Sequence, residues 1–281
     1  MMKEKRKSKK GNSRFETKRA RNNLLASKRA QLTIFIIIAV IIVIALVVLV
    51  LFREELASAV NPTGAQEYIE ECAEQATQEA LEKLENQGGS IQPENYILYQ
   101  DNQIEYVCYT EDYYSRCVMQ KPFLKQSIEQ EIANYVEPKV RECFKSMERR
   151  LESSGSQVEV NNIKVEASLI PNSVALTIRA PTKITRERAT SFNNLRTNVK
   201  SEIYDLTMLA SSISNYEARY GDSDTLTYMM YYPDIRVEKI ERESGSRVYI
   251  LTHKPTNEKF TFAMRSIAWP AGYLGVEENE L

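Results

Sequence analysis

Apolar positions change their period several times along this chain. Residues 32–52 read LTIFIIIAVIIVIALVVLVLF, with no charge, proline or glycine, and Thr33 is the only polar side chain. As a helix, these 21 residues rise about 31 Å, close to the thickness of a bilayer's hydrocarbon core. A cleaved secretory signal would have a shorter apolar core, about 7–15 residues, ending at small residues. This run instead meets Arg53-Glu54-Glu55. It predicts a transmembrane helix over residues 31–53.

Beyond the run, Asn61-Pro62-Thr63-Gly64 reads as a break, which makes residues 54–64 a juxtamembrane linker. From Ala65 to Glu85 the period is helical: Ile69, Cys72, Ala73, Ala76, Ala80 and Leu84 share one face, and Gly88-Gly89 follow as a stop. Residues 96–100 and 103–109 form an aromatic hairpin pattern about Asp101-Asn102. Leu124 to Leu151 returns to helical spacing, with Pro138 predicting a kink or two abutting helices. Residues 157–180 alternate as strands, turning at Pro171-Asn172. A third long helix is expected over Arg188 to Tyr220, where Leu195, Val199, Leu206, Leu209, Ile213, Tyr216 and Tyr220 recur near heptad spacing. Residues 234–267 alternate again, with turns at Gly245 and Pro255. The fold class expected is α+β: a single N-terminal transmembrane helix, then an ectodomain over residues 65–281 of long helices packed on antiparallel sheet.

Charge changes this picture by giving it a direction. The whole chain is nearly neutral, with 37 Lys and Arg against 38 Asp and Glu. Residues 1–30 alone carry 12 basic and two acidic side chains, net +10, and the remainder is net −11. Lys and Arg beside a span stay cytoplasmic, so residues 1–30 are expected inside the cell and the ectodomain outside. The bilayer is then the partner of residues 32–52. The basic tail is explained by topology, so nucleic acid is not an expected partner.

All four cysteines lie on the outer side, an even count that reads as two disulfides. Three connectivities are possible. Cys72 and Cys143 each sit on the apolar face of an expected helix, while Cys108 and Cys117 flank a short tyrosine-rich loop, so the pairs Cys72–Cys143 and Cys108–Cys117 are preferred. Zinc ligation does not fit spacings without C-x-x-C and a single distant histidine, His253.

No nucleophile elbow, phosphate loop, dinucleotide fingerprint or H-E-x-x-H occurs. No catalytic residue and no cofactor are therefore assigned, and a non-enzymatic protein is expected. All 16 tyrosines lie in the ectodomain. Tyrosine joins a large contact area to a polar tip, which suits recognition. The Cys108–Cys117 loop, with Tyr109, Tyr113 and Tyr114, is one candidate recognition surface. A second tyrosine group is Tyr228, Tyr231 and Tyr232 beside Met229-Met230.

Lys28-Arg29-Ala30-Gln31-Leu32 resembles the archaeal class III, prepilin-like signal, which implies cleavage between Ala30 and Gln31 with the apolar helix retained. Phe35 stands where pilins commonly carry glutamate, and Asn61-Pro62 interrupts the long stalk helix of a pilin. The ectodomain resembles membrane-anchored surface proteins of small-genome archaea. The matching residues are Cys72 leading to Gln87-Gly88-Gly89, Cys143, Val174 to Pro181, and Phe260-Thr-Phe-Ala-Met-Arg265. That resemblance implies a shared fold and a surface location, and no activity. The functional expectation is a membrane-anchored structural, adhesion or recognition protein with an envelope or cell-surface partner, its oligomeric state open. A minor pilin-like subunit and a membrane-tethered enzyme or ligand sensor are the alternatives.

Overall fold

Residue 62 opens the first long helix of the folded domain, α1 (Pro62–Asn86). The computed structural model describes residues 37–44, 62–186 and 189–269. Proline needs no amide partner in a helix's first turn, so Pro62 is compatible with the start of this element, and the expected linker lies largely outside the described residues. The helix ends at Gly88 and Gly89, with φ of 74° and 86°. The Gly89 amide donates to the Leu84 carbonyl at 2.9 Å, closing the last turn in the left-handed manner that glycine permits.

Strands β1 (Tyr96–Tyr99) and β2 (Asn102–Tyr109) form the aromatic hairpin. Its turn residues are Gln100 and Asp101, both at positive φ, one position earlier than expected. A short β3 (Val118–Met119) adds to β2. Helix α2 (Leu124–Ser153) runs as one element through the exposed Pro138, not as two abutting helices. Leu124, Ile128, Ile132, Val136, Val140, Phe144, Met147 and Leu151 form its buried stripe.

Next come β4 (Gln157–Val160), β5 (Lys164–Ile170), β6 (Ser173–Thr185) and β7 (Ala189–Lys200). β6 is the spine of this four-stranded sheet, with β4 and β5 on one side and β7 along the other. The register with β7 shifts between Arg179 and Thr182, so Pro181 falls at a bulge, where a strand tolerates a residue that cannot donate.

The third helix is much shorter than expected. Residues 189–200 are strand, and helix α3 covers only Ile203–Tyr220. Phe192, Leu195, Thr197 and Val199 face inward. Leu195 and Val199 are four apart, a spacing that a helix and a strand both satisfy. The helix begins after Ser201, whose hydroxyl accepts the Ile203 amide at 3.1 Å.

Helix α4 (Thr225–Tyr231) follows, then β8 (Ile235–Glu241), β9 (Ser246–His253) and β10 (Lys259–Arg265). The larger sheet runs β1-β2-β10-β9-β8 with β3 beside β2. Its pairs are antiparallel except β2 with β10, which are parallel, so the architecture is α+β with helices on an antiparallel and a mixed sheet. Tyr249 stacks on Phe262 at 5.3 Å and Phe262 on Phe260 at 5.9 Å in its core. Helix α1 packs against α2, β7 and β10, and so touches both sheets.

Cys72 pairs with Cys143, Cα atoms 6.6 Å apart, and Cys108 with Cys117 at 5.4 Å. Both lie within the distance a disulfide spans. The first joins α1 to α2, and the second closes the loop after β2.

The expected transmembrane run lies largely outside the described residues. Residues 37–44 are helical and exposed. Among the described residues, no helix is long and apolar enough to cross a membrane. Ala30 and Gln31 also lie outside them.

Candidate functional site

Helix α3 buries Ile203, Leu206, Leu209, Ala210, Ile213 and Glu217. Tyr216 and Tyr220, expected in that stripe, instead lie on the solvent side. With Tyr204, Met208 and Ser212 they make a second row at spacing four. Adjacent members of such a row stand one above another on a helix. Twelve residues separate Tyr204 from Tyr216, a rise of about 18 Å.

Gly221 ends the helix at φ 90°, its amide donating to the Glu217 carbonyl at 2.8 Å. The chain turns back, and Asp224 caps α4. Its carboxylate accepts the Leu226 amide at 3.0 Å and the Thr227 hydroxyl at 2.6 Å. These bonds, the hydroxyl's foremost, hold Asp224 below the usual carboxylate range, so its charge persists into acid.

Helix α4 lies beside β8 and forms the wall of a groove above the α3 row. One compartment, about 480 Å³, is lined by Ser212 and Tyr216 from α3 and by Asp224, Thr227, Tyr228, Tyr231 and Tyr232. A second, about 610 Å³, shares Ser212, Tyr231 and Tyr232 and continues to Tyr204, Asp205, Met208, Asp234 and His253. His253 Nδ1 is held by the Thr256 hydroxyl at 2.8 Å.

The wall itself is unusual. None of the residues of α4 is buried, although Tyr228 and Met229 pack partly on the core. Leu226 is 67 %, Met230 82 % and Tyr231 78 % exposed. This short helix therefore presents Leu, Met and Tyr side chains to water as an exposed apolar patch.

Beneath the groove's upper end, a buried polar network fixes the frame. Glu217 is fully buried. It receives hydrogen bonds from Arg247 Nη1 at 3.1 Å and from the Tyr249 hydroxyl. Tyr249 and Ser223 hydroxyls meet at 2.8 Å, and Arg247 also donates to the Gly221 carbonyl at 2.7 Å. Burial raises the Glu217 carboxyl above its ordinary range, opposed by Arg247. Burial and the neighbouring Glu217 push the Tyr249 phenol up, so it stays protonated and donates. The network ties the end of α3, and the turn that leads into α4, to β9.

The tyrosines of the Cys108–Cys117 loop meet neighbouring rings and an arginine. Tyr109 is half-buried at the end of β2, its ring 4.7 Å from Tyr106. Arg265 stands 5.3 Å over the Tyr113 ring, and Tyr114 meets the edge of Trp269 at 4.8 Å. Tyr113 and Tyr114 remain about half exposed, braced by the segment after β10. The second tyrosine group is the one the structure places at a groove. Sequence reading missed Tyr204, Asp205, Met208 and Ser212. For Tyr204, Met208 and Ser212 the signal was a spacing of four that continues to Tyr216 and Tyr220, and Asp205 carried none.

Among the described residues, no three His, Cys, Asp or Glu side chains converge as a metal site would require. No protein-family model, curated protein or solved structure matches the chain.

Proposed function

We propose that this is a single-pass membrane protein whose folded domain acts outside the cell as a non-enzymatic recognition module, docking an envelope or cell-surface protein through α4 and its groove. The observation that carries the reading is the exposure of Leu226, Met230 and Tyr231 on a helix with no buried residue, beside a groove walled by tyrosine. A buried hydrogen-bond network ties the frame beside it, and tyrosine, with few rotors, loses little entropy on binding. The apolar run at 32–52 and its basic flank favour the anchor and its orientation. The cysteine pairs at disulfide distance suit an oxidising compartment.

Two measurements test this. Protease added outside right-side-out vesicles should digest the domain from residue 65 onward and spare residues 1–30. Reverse protection would overturn the topology. Full-length protein displayed on vesicles should be retained on the surface of the producing cells, and Met230→Asp should abolish retention without lowering the melting temperature. Unchanged retention would remove α4 as the docking face.

A minor pilin-like subunit is the second reading, favoured by Lys28-Arg29-Ala30-Gln31 before the apolar run. Mass spectrometry of the native N-terminus decides it: a chain starting at Gln31 favours it, and an intact tail eliminates it.

A further inference from the structure

The groove's lining has a consistent charge. Asp224 lies at one end, and Asp205 and Asp234 line the other. His253 is the only basic side chain lining either compartment among those described. The neighbouring Lys254 ammonium is turned to the Pro233 carbonyl. The chain outside residues 1–30 is net −11, so a cation approaches this domain down a favourable field.

Elsewhere, tyrosine rings on this domain hold cations of its own. Lys83 and Lys139 stand 4.6 and 4.7 Å from the Tyr135 ring, Arg150 is 5.1 Å from Tyr68, and Arg242 is 5.3 Å from Tyr99. Among the described residues, no such cation stands over Tyr216, Tyr228, Tyr231 or Tyr232. Tyr231 and Tyr232 are 78 % and 48 % exposed. These are ring faces of the kind that take a guanidinium or ammonium, with carboxylates next to them.

From this we infer that the groove binds an extended cationic segment of a partner protein, about six residues long, with Arg or Lys near each end. The inference rests on reading the groove as a recognition surface. The length follows from the geometry: an extended chain rises about 3.3 Å per residue, so five to six residues span the roughly 18 Å row from Tyr204 to Tyr216. Basic side chains at the two ends then meet Asp224 and the Asp205–Asp234 pair, with the tyrosines between. A neutral glycan could stack on the rings, but it would cover three carboxylates without neutralising them, which costs free energy.

The test uses the full chain in phosphatidylcholine nanodiscs and calorimetric titration with three probes: Arg-Ser-Gly-Gly-Ser-Arg, its Glu-terminated counterpart, and maltohexaose. The Arg peptide should bind at least about tenfold more tightly than the other two, and its affinity should fall with added salt. Asp205→Asn with Asp224→Asn should weaken it at least about tenfold. Asparagine keeps the cap on the Leu226 amide, so the fold should hold with at most a small fall in melting temperature, and the loss of binding should report the charge. Tyr231→Ala should weaken it as well. No binding of the Arg peptide, equal binding of the Glu peptide, tighter binding of maltohexaose, or indifference to the Asn pair would each overturn the inference. If Met230→Asp abolishes cell-surface retention while the Arg peptide fails to bind, the recognition reading stands and the cationic ligand falls. If retention is also unaffected, both fall.

Discussion

Glu85, near the end of α1, is half-buried, and its neighbour is the Glu258 carboxylate. Burial first, and that neighbour second, raise Glu85 to about 8. Glu258 is fixed by other bonds: it accepts the Glu202 amide at 2.8 Å and the Ser201 hydroxyl at the start of α3. The folded protein therefore holds a proton on Glu85 that the unfolded chain releases near its ordinary value of 4.5. Stability from this group is full below about pH 4.5 and is lost as pH rises through about 8. The loss should be on the order of 2–4 kcal/mol, discounted for partial exposure. Glu85→Gln should flatten the fall in melting temperature between about pH 5 and 9 and stabilise the protein at alkaline pH. An unchanged slope would assign the effect elsewhere. Arg247 presents the opposite case. Removing it as Arg247→Ala leaves Glu217 buried beside Tyr249 without its cation, which should cost about 3–5 kcal/mol in denaturant unfolding. Adding Glu217→Gln should recover much of that loss, because the uncompensated charge goes with it.

At the scale of elements, the helices do more than fill space. Glu129 and Glu137 of α2 accept the Leu169 and Val165 amides of edge strand β5 at 2.8 and 3.3 Å. On the other side of the sheet, the Glu74 carboxylate of α1 accepts the Thr197 hydroxyl of β7. The β5 edge amides are thus occupied by helix carboxylates, which blunts pairing of that edge with another chain. The Cys72–Cys143 bridge holds these two helices together across a sequence separation of 71 residues. Its removal by Cys72→Ala with Cys143→Ala should cost about 4 kcal/mol. Losing the nine-residue Cys108–Cys117 separation should cost about 2.5 kcal/mol. Equal losses in matched denaturant titrations would show that chain entropy is not the governing term. Elements with a single unambiguous period, such as the Leu124-to-Leu151 stripe and the Val174-Leu176-Ile178 alternation, were legible in the sequence. Residues 189–200 were not, because Leu195 and Val199 fit both periods and the choice was made by pairing with β6. The groove was half legible: the tyrosines of α4 stood out, whereas the α3 row acquired meaning only once α4 was folded beside it.

For the molecule as a whole, the described residues between 62 and 269 fall in one compact unit. Helix α1 reaches both sheets, and one buried cluster draws side chains from both, with a small second cluster of Ile104, Tyr106 and Ala263 on the larger sheet. Thermal unfolding followed by far-ultraviolet and tyrosine near-ultraviolet dichroism should give coincident transitions. A protease nick at Ser153-Ser154-Gly155 should not release two separately folded pieces. Two resolved transitions would contradict the single unit. The parallel pairing of β2 with β10 has a consequence for the order of events during synthesis. Strand β2 is complete by Tyr109, yet its neighbour at the centre of the sheet begins only at Lys259. A chain emerging N-terminus first carries an unfilled slot through about 150 residues of elongation, with Val107 and Ile104 still wet. All four cysteines have emerged by then, so the thiols must find their partners, or be kept from wrong ones, before the strand that sets the sheet has arrived. A chain stopped after His253 should therefore remain bound to chaperones and show scrambled thiol pairing, and adding residues 254–269 should release it.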